Sequence, residues 1–159
     1  MTKLITFFIL FFGLCAANAF SQSQSVALRD AKTLCNRVSE IKEIPFKDKA
    51  GVDADYDALI EAGETVVPCL IEKVSDTTVM PDPRCPHVTD ETRVRDVAYF
   101  VLVRITKIGF AEFLPADVQE KFKTEGVYAY HEYLEGKGKR KQLQSKLREW
   151  YRQKQSAKI

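Results

Sequence analysis

The chain lacks the residues and patterns on which most enzyme families depend. It has only two histidines among 159 residues, so few side chains are suited to act as a general base near neutral pH. No serine lies in a nucleophile elbow, the strand–turn–helix motif of hydrolases. We therefore predict no catalytic residue, no metal ion and no cofactor for this protein.

Two structural patterns are also missing. No segment alternates apolar and polar residues over the length of a β-strand. After residue 20, no apolar run approaches the roughly 20 residues that a transmembrane helix needs. Apolar residues instead recur at helical spacing, and residues 20–159 are enough to enclose one core. We predict a compact all-α fold, with residues 20–159 forming a single helical domain.

The N-terminus has the three parts of a secretory signal peptide. Lys3 supplies the positive charge, residues 4–14 are mostly apolar, and Ala17-Asn18-Ala19 has the small-x-small pattern of a cleavage site. The apolar run is too short to remain as a membrane span. We expect residues 1–19 to be removed and the protein to be periplasmic or secreted, with no stable membrane span.

Charge is distributed unevenly along the chain. Residues 20–136 hold 14 Lys and Arg against 21 Asp and Glu, whereas residues 137–159 hold nine basic residues and a single acid, Glu149. Such polarity fits a solvated helix face, packing onto an acidic body or a docking strip for an acidic partner. Export and the acidic remainder argue against nucleic acid as that partner. One apolar stripe should dock this last helix: Leu143, Leu147, Trp150 and Tyr151.

Loss of Cys15 with the signal peptide leaves Cys35, Cys69 and Cys85. An oxidising compartment favours one disulfide and one spare thiol. We favour Cys69–Cys85, which would close a short ring around a proline-rich loop. Cys35–Cys69 is the alternative, and three buried free thiols are a third.

Residues 63–109 resemble one unit of a HEAT-like helical repeat. The segments GETVVPCLIEKVSD and VRDVAYFVLVRITKIG carry the resemblance. The matching positions in the two segments are Val67, Pro68, Leu70, Ile71, Asp76, Val94, Arg95, Ala98, Leu102, Ile108 and Gly109. The resemblance implies helix pairs that bury their apolar faces by stacking on neighbours, and a scaffold that binds partners.

An acidic cluster allows a calcium-binding alternative. Asp53, Asp55, Asp57 and Glu64 have the spacing of acidic ligands in an EF-hand loop. Ala58 stands where such loops need glycine for a sharp turn. The competing interpretation is a helix that is capped by Asp53 and carries acids in its first turn.

Aromatic residues supply the candidate binding surface. Val94 to Ile108 should form a central helix, ended by Gly109, that is apolar on both sides and therefore packed on both sides. Apolar and aromatic side chains on the more polar side of this helix, and beside the loop-rich end of the domain, suggest a protein-binding patch. Packing in a second layer would also explain these residues. The predicted binding residues are Phe100, Val103, Tyr128, Tyr130, Tyr133, Arg84 and His87.

These observations together predict a non-enzymatic module that binds another protein. Its sharpest form is an immunity-type inhibitor of a toxin or an envelope enzyme. The alternatives are a hydrolase of envelope polymers that uses paired carboxylates and a calcium-stabilised structural protein.

Overall fold

The predicted all-α fold is confirmed. The computed structural model describes residues 30–45, 51–80 and 92–157. Within these ranges there are isolated β-bridges, such as Val79–Arg93, but no strand. The helices are α1 (residues 30–36), α2 (Ala54–Ala62), α3 (Val67–Lys73), α4 (Val94–Thr106), α5 (Ala116–Glu125), α6 (Val127–Glu135) and α7 (Lys139–Ser156), with 3-10 turns at Arg37–Glu40 and Gly63–Val66.

Helix α4 lies at the centre and packs against α2, α3 and both 3-10 turns. Its buried residues include Val97, Ala98, Val101 and Leu102, which recur at the spacing of one helix face. Buried side chains from all seven helices form one continuous cluster. The signal peptide predicted at residues 1–19 lies outside the described residues. No described helix combines the length and the hydropathy that crossing a bilayer requires.

Local sequence signals explain where several helices begin and end. The carboxylate of Asp53 accepts hydrogen bonds from the backbone N–H groups of Asp55 and Tyr56, both at 2.9 Å, and so caps α2. Pro68 occupies the first turn of α3, where it removes no helical hydrogen bond. The predicted end of α4 at Gly109 is wrong, because Lys107 adopts a left-handed conformation (φ 58°) and ends the helix first.

Helix α7 closes the core, as its apolar stripe predicts. Leu143 and Leu147 are buried, while Trp150 and Tyr151 are partly exposed. Gln144, also buried, donates its side-chain amide to the carbonyl oxygens of Ile71 at 2.9 Å and of Glu72 at 2.8 Å. The Ile71 carbonyl also accepts a long backbone hydrogen bond from Val74 at 3.4 Å, so α7 adds a side-chain donor to the last turn of a helix more than 70 residues earlier.

The bases of α7 meet acids of the remaining chain. Arg148 pairs with Glu72 on α3, and Lys154 lies 2.7 Å from Glu64. The hydrogen bond from Arg148 lowers the pKa of Glu72. Packing onto an acidic body therefore explains part of the uneven charge, although exposed pairs of this kind stabilise a fold only weakly.

The structure corrects the favoured disulfide. Cys69 pairs with Cys35, 34 residues away, with their Cα atoms 6.4 Å apart. The bond joins α1 to α3. A sulfur atom forms only one disulfide, so Cys69 cannot also pair with Cys85, which lies outside the described residues.

Candidate functional site

The three tyrosines of α6 do not form one surface. Tyr130 is fully buried, and its ring stacks on Tyr99 of α4 with the centroids 4.9 Å apart. Its inclusion in a surface patch is therefore corrected: Tyr130 belongs to the core. Tyr128 lies about 200° around the helix from Tyr130 and is 54% exposed. Tyr133 is partly buried, with the Lys139 amine 5.1 Å from the centre of its ring.

The residues predicted on the polar side of α4 pack in a second layer. Phe100 and Val103 are partly buried against the core. The ring of Phe100 meets Phe110 at 5.1 Å, and Phe110 in turn stacks on Phe122 of α5 at 5.6 Å. Phe100 and Val103 therefore connect the core to the turn before α5. The predicted binding residues Arg84 and His87 lie outside the described residues.

The acids of the calcium alternative each face a different partner. Helix α2 runs through most of the candidate loop. Asp53 caps that helix, and Asp57 accepts a hydrogen bond from the backbone of Gly51 at 2.6 Å. Asp55 pairs with Arg37, and Glu64 pairs with Lys154. Capping, the competing interpretation, is what the structure shows. Among the described residues, no three His, Cys, Asp or Glu are grouped closely enough to hold a metal ion.

A buried polar cluster, which the sequence did not reveal, joins three helices. Asp96 of α4 is 3% exposed, and one of its carboxylate oxygens lies 3.0 Å from a guanidinium nitrogen of Arg140 on α7. Arg95 approaches the other oxygen at 3.8 Å and also pairs with Glu135 of α6 at 2.9 Å. His131 lies 3.9 Å from Asp96. We call these five residues the Asp96 cluster.

The electrostatics of the Asp96 cluster favour a neutral histidine. Burial lowers the pKa of His131, and the attraction of Asp96 opposes this shift only in part. Burial also raises the pKa of Tyr130 well above its usual range. The Arg140 guanidinium lies 6.0 Å from the centre of the Tyr130 ring. The cluster therefore places one buried carboxylate between two guanidiniums, an arrangement that joins α4, α6 and α7.

Sequence reasoning missed this cluster because its members come from three helices. Asp96 looked like one polar residue on the outer side of α4. The burial of its neighbours Val94, Val97 and Tyr99 is seen only in the structure, and no feature of the sequence near Asp96 indicates its partners.

No protein-family model, curated protein or solved structure matches this chain. Helices α3 and α4, which carry the resemblance to a HEAT-like repeat, pack against each other. Membership of that repeat class stays a prediction.

Proposed function

We propose that this chain is an exported helical module that binds another protein through the surface around Tyr128. We define the Tyr128 surface as Tyr128, Glu125, Glu132 and Lys121, which belong to α5 and α6. The exposure of Tyr128 is the observation that carries the proposal. A tyrosine offers a partner a large rigid area and one hydroxyl, and tyrosine is among the residues that contribute most to binding at interfaces.

The two helices that carry the Tyr128 surface pack against each other. Lys121 pairs with Glu132 across the two helices and lies 3.5 Å from Glu125. Phe122 and Tyr130, on the inner sides of these helices, both pack against Phe110. A surface that is already ordered loses little conformational entropy on binding, which favours affinity.

Two features support export. The N-terminal sequence has the pattern of a secretory signal, and a disulfide between Cys35 and Cys69 fits an oxidising compartment. The more specific form of the proposal is a periplasmic, immunity-type inhibitor built on a HEAT-like scaffold. Its support is the resemblance of residues 63–109 and analogy with small exported proteins that neutralise enzymes.

The test uses the purified protein as bait in an extract of its own compartment. We expect a stoichiometric partner that Tyr128→Ala loses and that Val79→Ala retains. Val79 is a suitable control because it is 50% exposed and lies before α4, outside α5 and α6. For an interface centred on Tyr128, truncation should weaken the dissociation constant about 30-fold, or about 2 kcal/mol.

Both variants should keep the circular dichroism spectrum and melting temperature of the parent, since neither position is in the core. The proposal fails if no stoichiometric partner is captured. It also fails if a captured partner binds Tyr128→Ala as tightly as it binds the parent.

A further inference from the structure

A groove lies beside the disulfide between α1 and α3. Its volume is about 500 Å³, and both cysteines of the disulfide line it. Lys32 on α1 and Pro68, Glu72 and Lys73 on α3 contribute to its walls. The groove therefore gives a small molecule a route to the sulfur atoms.

The two sulfurs are not equally open to attack. Cys35 is buried, with 1% of its surface exposed, whereas Cys69 is partly exposed. Thiol–disulfide exchange requires a thiolate to reach one particular sulfur. A thiol that enters the groove therefore meets Cys69 first, and Cys35 is the leaving sulfur.

We propose that this groove is a thiol-exchange site, at which a small negatively charged thiol forms a mixed disulfide with Cys69. Charge favours an anionic occupant. Lys32 and Lys73 both line the groove, and the carboxylate of Glu72 is already paired with Arg148. Lys73 is likewise paired with Asp76, whose carboxylate lies 3.5 Å from its amine, so the excess positive charge comes from Lys32. This site is separate from the Tyr128 surface and does not rest on the proposed function.

The exchange takes place in two steps. The incoming thiolate attacks the sulfur of Cys69, a new S–S bond forms, and the Cys35–Cys69 bond breaks. Cys35 leaves as a thiolate and takes up a proton, because a buried thiolate is disfavoured. A second thiolate then attacks the outer sulfur of the mixed disulfide and releases the Cys69 thiolate. Two thiols are oxidised to one small disulfide, and the protein disulfide is reduced by two electrons.

The first experiment identifies the sulfur that is attacked. Purified Cys85→Ser protein, in which the third cysteine cannot interfere, is exposed briefly to glutathione, quenched with acid and alkylated. Peptide mass spectrometry should find glutathione on Cys69 and the alkyl group on Cys35. In denaturant, where exposure no longer differs, both cysteines should carry glutathione. Adducts mainly on Cys35, or no reaction of the folded protein, would overturn the proposal.

The second experiment tests the charge of the groove. Rates are compared for 3-mercaptopropionate, which is anionic, and cysteamine, which is cationic, at equal thiolate concentration. Because the two thiolates differ in intrinsic nucleophilicity, each rate is divided by the rate with the denatured protein, and the folded parent should then favour the anionic thiol. Lys32→Glu and Lys73→Glu should each lower the anionic-to-cationic rate ratio by about tenfold or more, because reversing one charge about 6 Å away in water changes the rate of each thiol by about tenfold, in opposite directions, before salt screening.

Lys123→Glu is the matched control. It makes the same charge change on α5, which among the described elements packs with α6 and not with α3, so the ratio should stay at the parent value. A folded parent protein that favours cysteamine after this normalisation, or a ratio that neither Lys32→Glu nor Lys73→Glu changes, would contradict an anionic occupant.

Discussion

Replacing Asp96 by asparagine should destabilise the fold severely. The substitution keeps the shape of the side chain and removes its charge. Arg140, whose side chain is 9% exposed, would lose its ion-pair partner at 3.0 Å, and Arg95 would lose a carboxylate at 3.8 Å. The asparagine oxygen can still accept the hydrogen bond from the backbone N–H of Arg93. The capping contribution should therefore survive, and the loss should be electrostatic.

The expected cost is about 3 kcal/mol, since removing one partner of a buried ion pair typically costs 3–5 kcal/mol. With a urea dependence of about 2 kcal/mol per molar, the midpoint of unfolding should fall by about 1.5 M. Asp117→Asn is the matched control. It makes the same change at an exposed acid in the first turn of α5 and should cost no more than about 1 kcal/mol.

Urea unfolding followed by circular dichroism measures both variants. A double-mutant cycle with Arg140→Met then assigns the loss to the ion pair. If Arg140 and Asp96 stabilise each other, Asp96→Asn should cost at least 1 kcal/mol less when Arg140 is absent, which is within the usual range of coupling between contacting residues. An Asp96→Asn variant within about 0.5 kcal/mol of the parent would refute the reasoning, because changes of that size are ordinary at exposed positions.

Three further predictions concern pH, the disulfide and the end of α4. The folded state holds the pKa of His131 below its ordinary value of 6.5. The contribution of neutral His131 to stability is therefore full above pH 6.5 and is lost as the pH falls below that value. His131→Gln should reduce the difference between the urea midpoints at pH 5 and pH 8. Replacing both Cys35 and Cys69 by alanine should lower the free energy of unfolding by about 4 kcal/mol, because the disulfide closes a loop of 34 residues. The melting temperature of this variant should fall by more than 10 °C, about the scale for a domain of this size. The melting temperature of Cys85→Ser, the control, should not change. Lys107→Gly should stabilise the protein by about 0.5–1 kcal/mol in urea unfolding, because glycine adopts the left-handed conformation of this residue without strain; a loss of stability would show that the lysine side chain contributes more than the strain costs.

The features that the sequence predicted correctly depend on neighbouring residues. The cap of α2 needs only Asp53 and the backbone that follows it. The inward face of α7 follows from the spacing of Leu143 and Leu147. The acids near Asp53 could be assigned to capping because Ala58 resists the turn of a calcium loop. Each conclusion uses a few adjacent turns of chain, and the structure agrees with it.

The features that were missed depend on contacts between distant segments. The pairing of Cys35 with Cys69 depends on how α1 packs against α3. The short proline-rich loop between Cys69 and Cys85 led to the wrong pairing. The Asp96 cluster needs Arg140, 44 positions further on, and nothing in the sequence near Asp96 indicates it. Tyr130 is different, because its helical spacing from Leu134 already indicated a buried position.

The contact between Gln144 and the end of α3 has a consequence for the timing of folding. While the chain is being synthesised, the carbonyl groups of Ile71 and Glu72 lack the side-chain amide of Gln144 until residue 144 has emerged from the ribosome. The cavity that Leu143 and Leu147 fill stays open for the same period. This part of the fold is therefore completed only after residue 147 has been synthesised. For a chain that we expect to cross a membrane, such a delay keeps the polypeptide in the extended form that a translocation channel accepts.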